Sequence, residues 1–169
     1  VEYALRMHRF PREDELTCIA DAGNLTNDLA EKLGHVIAGL HETAEKRPSD
    51  GAVLIGEIID ELREAFARME SILGHDRLAE YFRRTDRSFG DVASLLSQRS
   101  SEGRVRRCHS DLHLKNLVMI EGQPVAFDAL EFDERLGTCD VFYDFAFLAM
   151  DLLHRELTGQ AHVLHNSYL

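Results

Sequence analysis

The residues best equipped for chemistry lie in one stretch of eight, residues 109–116. The stretch contains a carboxylate (Asp111), an amide (Asn116) and two imidazoles (His109 and His113). Basic and β-branched residues precede it and four apolar residues follow it, which predicts a short strand on each side. The sequence therefore predicts that these polar groups share a loop between two strands.

A second carboxylate, Asp128, follows twelve residues after Asn116. The Gly and Pro of residues 121–124 predict a turn, and residues 125–127 are an apolar strand that runs into Asp128. A hairpin of this kind returns Asp128 to the neighbourhood of the loop. Carboxylate and amide oxygens are hard ligands that suit Mg²⁺, so the pair Asn116 and Asp128 is a candidate magnesium site.

These motifs resemble those of the aminoglycoside phosphotransferase and choline kinase-like family, which shares the protein kinase fold. The loop matches the spacing His-x-Asp-x-x-x-x-Asn of a kinase catalytic loop. Downstream, Asp140-Val-Phe-Tyr-Asp144-Phe-Ala begins an almost entirely apolar helix, as in the family. Residues 127–132, Phe-Asp-x-x-Glu-Phe, are most similar to a bacterial branch that is often joined to a P-loop ATPase domain.

The resemblance implies an α+β, predominantly helical fold, the large lobe of a protein kinase-like fold with a short catalytic-loop hairpin. It implies phosphoryl transfer from ATP, with Mg²⁺, to a hydroxyl of a small molecule. Asp111 would be the catalytic base, and Asn116 and Asp128 would bind the metal. The residues that hold the loop in shape would be His109, Asp140 and Asp144.

Three acidic residues beside the expected metal site, Glu131, Asp133 and Glu134, are candidates for contact with a cationic substrate. A solvated acidic loop explains them at least as well. Ser110 replaces the usual Gly of the family, so its backbone tests whether that position needs a positive φ. Lys115 also stands where this branch often has Gly.

The phosphate-binding parts of a kinase small lobe are not found in the sequence. The lysines are Lys32, Lys46 and Lys115, and none is expected on a small-lobe strand. Residues 51–56 have the spacing of a P-loop, but Glu57 replaces the required Lys. We therefore expect a large lobe without its small lobe, cut at both ends, inactive alone and prone to self-association. A full-length parent would add the small lobe and, by the branch resemblance, a P-loop ATPase domain.

Two other functions remain open from the residues alone. His109, Asp111 and His113 could be part of a zinc hydrolase centre, because imidazole and carboxylate groups bind zinc. The usual first His of that arrangement is missing, however. The third possibility is a kinase-like module that binds a nucleotide or a partner without turnover.

The bulk properties describe one domain of 169 residues with a net charge of −11. This charge opposes nucleic-acid binding, because phosphates would be repelled along most of the surface. Three scattered cysteines favour a reducing, cytoplasmic environment. No apolar run approaches the 18 residues of a membrane span, which predicts no membrane partner.

The order of elements is a hinge strand in residues 1–10, helices in 11–103, the catalytic loop and hairpin in 104–132, and further helices in 133–169. Thr26 is a predicted N-cap. The following helix carries an apolar stripe, and His35 and His41 lie off its centre, which predicts two surface histidines. Residues 130–139 show no period and are predicted to be a loop.

Overall fold

The computed structural model of the chain describes residues 9–130 and 132–169, so the predicted hinge strand lies almost wholly outside the described residues. The helices are α1 (Leu16–Asp21), α2 (Asn27–Thr43), α3 (Gly51–Ala67), α4 (Glu70–Leu73), α5 (His75–Ser101), α6 (Val141–His154) and α7 (Thr158–Tyr168). The strands are β1 (Val105–Arg107), β2 (Leu117–Ile120), β3 (Gln123–Ala126) and β4 (Thr138–Asp140). The predominantly helical α+β class predicted from the sequence is confirmed.

The described residues divide into two compact units, each made of separate stretches of chain. The first unit contains residues 9–43, 109–130 and 144–169, and the second contains residues 44–108 and 132–143. Residues 109–116 and Asp128 all belong to the first unit. The candidate loop and the hairpin that carries Asp128 therefore belong to the same compact unit.

The first unit is organised around one apolar core that includes side chains from α1, α2, the loop, β2, α6 and α7. Its fully buried members include Leu33, Leu112, Leu117 and Leu148. Burial of a Leu side chain contributes about 1.5–3 kcal/mol, so Leu112 within the loop and Leu117 directly after it anchor the loop in the core. The antiparallel hairpin of β2 and β3 follows, with Leu117 opposite Ala126. Its turn at Glu121 and Gly122 agrees with the prediction.

Helix α2 begins as predicted, since the Thr26 hydroxyl accepts from the N–H of Leu29 at 3.2 Å. It then makes a close crossing with α7 at Gly34. A Cβ atom at Gly34 would lie 2.7 Å from the Leu164 carbonyl oxygen and 2.7 Å from Cβ of Ser167. Only a glycine permits this approach.

The second unit is built on two antiparallel helices, α3 and α5. Three pairs fix their register: the N–H of Gly51 donates to the Ser100 hydroxyl, Arg63 pairs with Asp86, and the rings of Phe66 and Phe82 are 6.0 Å apart. Strands β1 and β4 form a small antiparallel sheet in the same unit.

Three details differ from the sequence-based expectations. His41 is buried, with 3% of its surface exposed, whereas Leu40 is 40% exposed. The face of α2 that meets the core is therefore rotated away from the one that the apolar stripe predicts. Residues 138–140 are a strand and not part of a loop, because they pair with β1. The apolar residues from Leu54 to Leu73 keep a helical period that predicts one continuous helix, but this stretch is divided between α3 and α4 by a turn at Arg68 and Met69.

Within residues 9–130 and 132–169, no helix combines the length and the hydrophobicity that crossing a bilayer would require.

Candidate active site

The carboxylate of Asp111 is held on both of its oxygens. The Asn116 side-chain amide donates to Oδ2 at 3.0 Å and also to the Asp111 carbonyl oxygen at 2.9 Å. On the other side, His113 Nε2 lies 3.3 Å from Oδ1. The Asp111 side chain remains 44% exposed, so it is fixed in place and still accessible to a bound molecule.

The orientation of the Asn116 amide follows from these two contacts. Its nitrogen faces two acceptors, so Oδ1 is the opposite end of the group and is available to a cation. The residue as a whole is buried, which restricts the amide to this one arrangement.

Asp128 lies at the same end of the hairpin as Asn116. The N–H of Phe127 donates to the Asn116 carbonyl oxygen at 3.0 Å, and Asp128 is the next residue. Its φ of 61° is in the left-handed region, which Asp tolerates better than most residues. Asp128 is exposed, and no hydrogen bond or ion pair of its carboxylate is found within residues 9–130 and 132–169. An amide oxygen and a free carboxylate at one end of a hairpin are a donor set that fits Mg²⁺.

His109 connects the loop to the segment that carries Asp128. Its Nε2 donates to the Phe127 carbonyl oxygen at 2.8 Å, and Nδ1 accepts from the N–H of Asp111 at 3.4 Å. The N–H of Leu130 donates to the His109 carbonyl oxygen at 3.1 Å. Both ring nitrogens are therefore engaged inside the protein, which leaves none for zinc and argues against the hydrolase alternative.

The start of the loop is fixed by the fully buried carboxylate of Asp144. It accepts from the N–H of Ser110 at 2.7 Å and from the N–H of His109 at 3.1 Å. Ser110 has a φ of 64°, so this position does adopt the conformation that Gly usually provides. Two charge-assisted hydrogen bonds at this position hold the strained backbone in place.

Asp144 is itself held by His41, and His41 is held in turn by Tyr168. Sequence reasoning missed both residues. His41 Nε2 donates to Asp144 Oδ2 at 3.1 Å, and His41 Nδ1 lies 2.7 Å from the Tyr168 hydroxyl. Because a carboxylate can only accept, the proton of a neutral His41 ring belongs on Nε2, and the Tyr168 hydroxyl then donates to Nδ1. The available signal was the spacing: His41 follows Gly34 by seven residues and so shares the helix face that packs on α7.

Asp140 lies in the second unit, where it serves a local structure. Arg99 forms two hydrogen bonds with its carboxylate, at 2.7 and 2.8 Å, and the N–H of Phe142 donates to it at 2.8 Å. The side chain caps the first turn of α6, as acidic residues at helix starts do. Of the two acidic residues in the motif, Asp144 is the one bonded to the loop backbone.

The three acidic residues considered for substrate contact have different surroundings. The Asp133 carboxylate accepts from the N–H of Arg135 at 2.9 Å and caps a turn. Glu134 forms ion pairs with Arg47 and Arg107 within the second unit. Glu131 lies outside the described residues. Contact of these residues with a substrate stays a prediction.

Comparison with known proteins gives relatives without an assigned activity. Two uncharacterized proteins of Mycobacterium tuberculosis (strains CDC 1551 and H37Rv) and one of Mycobacterium bovis are each 26% identical to the chain over 151 residues. The match covers 86% of this chain and 30% of each relative, so the chain spans about a third of their length. No solved structure matches the chain.

The family, in contrast, is clear along almost the whole sequence. The sequence profile of the phosphotransferase enzyme family (APH) matches residues 3–169, which includes the loop, the hairpin and the helix that begins near Asp144. The chain belongs to the phosphotransferase enzyme family.

Proposed function

We propose that this chain carries the catalytic centre of an ATP- and magnesium-dependent kinase that phosphorylates a hydroxyl group of a small molecule. Asp111 is the base, and Asn116 and Asp128 are the metal ligands. The family supports phosphoryl transfer as the class of reaction. The observation that carries the assignment of residues is the Asp111 carboxylate, held by Asn116 at the end of the hairpin that also carries Asp128.

The proposed step forms one bond and breaks one. The hydroxyl oxygen of the acceptor attacks the γ-phosphorus of ATP, the bond from that phosphorus to the β–γ bridging oxygen breaks, and ADP leaves. Asp111 accepts the hydroxyl proton. A magnesium ion between Asn116 and Asp128 would supply positive charge next to the phosphates when bound.

Positioning is the main contribution of the protein to such a reaction, because its transition state is loose. Asp111 meets this requirement through contacts on both oxygens, and the backbone before it is held by Asp144. A base that is fixed before the substrate arrives need not be reordered during the reaction.

The groups that grip the ATP phosphates in kinases, a strand Lys and a glycine-rich loop, are expected from sequence outside these 169 residues. The uncharacterized relatives are long enough to contain such a lobe, since the match covers 30% of each. For this reason, activity is to be measured on the longest natural chain that contains the 169 residues.

The test compares Asp111→Asn, Asp128→Asn and, as a control, Asp91→Asn, an exposed carboxylate in the middle of α5. ADP release is measured with a panel of small hydroxyl compounds over a range of Mg²⁺ concentrations up to saturation. We expect Asp111→Asn to lower turnover by at least about a hundredfold, since a positioned base contributes about 10²–10⁴. Asp128→Asn raises the Mg²⁺ concentration needed for half-maximal rate, and Asp91→Asn changes neither quantity.

Turnover that is unaltered in Asp111→Asn would contradict the assignment of the base. Binding of ATP without any ADP release, in the parent chain and across the whole panel, would favour a non-catalytic binding module instead.

A further inference from the structure

An open cavity of about 310 Å³ lies beside the loop in the first unit. It is lined by His113, Lys115, Phe147, Met150, Asp151 and His154. A volume near 300 Å³ is at the lower end of the range for small-molecule sites. One residue separates the cavity from the proposed base, because His113 lines it while His113 Nε2 lies 3.3 Å from Asp111 Oδ1. The cavity and the proposed base therefore have His113 as a common neighbour.

The only carboxylate among the six lining residues, Asp151, is already hydrogen-bonded inside the protein. Asp151 Oδ1 accepts from Arg155 Nε at 2.9 Å, and Oδ2 accepts from the N–H of Leu114, also at 2.9 Å. Both oxygens of Asp151 are therefore engaged by internal donors, one of which, Arg155, is shared with Asp21.

Lys115 provides a cationic group at the cavity. Lys115 is exposed, and no ion pair or hydrogen bond of its ammonium group is found within the described ranges 9–130 and 132–169. His154 adds an imidazole that can donate a hydrogen bond, whereas His113 directs Nε2 to Asp111 and its Nδ1 is buried. Against the acidic surface of the whole chain, which has a net charge of −11, this is a local site for an anion.

The remaining wall is apolar. Phe147 and Met150 come from the same face of α6, three residues apart, and Met150 is 56% exposed. A short carbon skeleton laid on these two side chains would remove apolar surface from water. The cavity thus combines a cationic end, an apolar wall and, beyond His113, a carboxylate base.

We infer that the acceptor of this enzyme is a small hydroxylated anion, with its carboxylate or phosphate group on Lys115 and its hydroxyl at Asp111. The inference rests on the proposed kinase function and specifies its substrate class. In the step, the acceptor hydroxyl gives its proton to Asp111 and its oxygen takes the γ-phosphoryl group of ATP, while the acceptor's anionic group stays unchanged. The enzyme should therefore prefer anionic acceptors to cationic ones. This is the opposite of the preference expected if Glu131, Asp133 and Glu134 bound a cationic substrate.

The experiment uses four acceptors on one three-carbon skeleton that carry two vicinal hydroxyls and differ in the group on the third carbon, which is anionic, neutral or cationic: glycerate, glycerol 3-phosphate, glycerol and 3-amino-1,2-propanediol. A larger panel of alcohols, grouped in the same way by charge, is run beside them. Initial rates of ADP release by the longest natural chain are measured for each acceptor. We expect the anionic members to have kcat/KM at least tenfold above the neutral and cationic ones, and this preference to weaken with added salt.

Variants at Lys115 test the assignment directly. Lys115→Met should raise KM for the anionic acceptors at least tenfold with a smaller change in kcat, and Lys115→Arg should retain most of the affinity. Lys32→Met removes an exposed Lys from α2 and is the matched control, with no change in KM. Calorimetric titration with the anionic acceptor, without nucleotide, should show the same loss of affinity in Lys115→Met alone.

The outcomes separate the inference from the function on which it rests. If neutral or cationic acceptors are turned over as well as the anionic ones, or if Lys115→Met leaves KM unchanged, the anion site is wrong while Asp111-dependent turnover still supports the kinase. If no acceptor in the panel gives Asp111-dependent turnover, the proposed function fails, and the substrate class fails with it.

Discussion

The two units of the chain differ in most of their polar contacts, although each contains a buried carboxylate, Asp144 in the first and Asp140 in the second. In the first unit, His41, His109, Asn116 and Asp144 are buried and bonded to one another or to the loop backbone. In the second unit, ion pairs such as Arg135 with Glu61 have both side chains more than half exposed. Exposed pairs of this kind contribute little to stability, about 0–1 kcal/mol.

The apolar core of the first unit is also larger than that of the second. Among the described residues, thirteen buried side chains form the core cluster of the first unit, whereas three, Cys108, Cys139 and Val141, form that of the second. The first unit therefore has the packing needed to fix buried polar groups in a single geometry. This is the unit that contains Asp111, so the larger buried core lies in the same unit as the residues of the proposed chemistry.

The largest effect in this comparison is expected from Asp144→Ala. The variant leaves three donors without an acceptor: the N–H groups of His109 and Ser110, and His41 Nε2. An unsatisfied buried group costs about 1–3 kcal/mol, so we expect the free energy of unfolding to fall by about 3–5 kcal/mol. Urea unfolding at pH 7, followed by circular dichroism, measures the change.

The control for this variant is Asp91→Ala, which removes an exposed carboxylate from the second unit and should alter stability by less than about 0.5 kcal/mol. Equal losses in the two variants would show that the buried network does not distinguish the units. A milder change, Tyr168→Phe, removes only the hydroxyl that contacts His41. Its loss in the free energy of unfolding should lie between those of Asp144→Ala and Asp91→Ala.

Much of this site could be predicted from sequence because its parts are local. The loop spacing, the turn at Gly122 and the strand that leads to Asp128 depend on neighbouring residues and on backbone preferences. The contacts of Asp144 with Ser110 could be expected from the family motif only in outline, as one of two acidic residues.

What the sequence could not provide depends on contacts between distant parts of the chain. Tyr168 is 127 residues from His41, and no local pattern connects them. The apolar stripe of α2 is wide enough to permit several rotations about the helix axis, and the close crossing at Gly34 selects the one that buries His41. Strand β4 has three residues and is defined by pairing with β1, so its own sequence has no usable period.

A pair of glycines gives the next prediction, with effects of opposite sign in the two units. Gly34→Ala places a Cβ 2.7 Å from the Leu164 carbonyl oxygen, a backbone atom that cannot move without shifting α7. Overpacking of this kind costs about 1–3 kcal/mol. Gly90 lies inside α5, and a Cβ there meets nothing within 4 Å. Gly90→Ala should therefore stabilise the protein by about 0.5–1 kcal/mol, because Ala favours helix more than Gly does.

Thermal unfolding of the two variants and of the double variant is the appropriate measurement. The two changes lie in different units and should be additive in free energy. Stabilisation by Gly34→Ala would show that α2 and α7 are not closely packed at this crossing.

The smallest effect is expected from an exposed pair in the second unit. The Glu70 carboxylate lies 2.6 Å from His75 Nδ1, and this hydrogen bond, followed by the attraction of the charge, raises the pKa of His75 above its ordinary value. A raised pKa in the folded state means that the stabilising contribution is fully present below the ordinary pKa, near 6.5, and is lost as the pH rises through the folded value.

Glu70→Gln should return the His75 pKa towards its ordinary value, which proton NMR of the ring can follow. The difference in urea midpoint between the parent and Glu70→Gln should accordingly shrink as the pH rises through this range, and it should also shrink in high salt because the pair is exposed to solvent. A difference that grows with pH would have the wrong sign for this pair, and one as large as that of Asp144→Ala would contradict the contrast between the units.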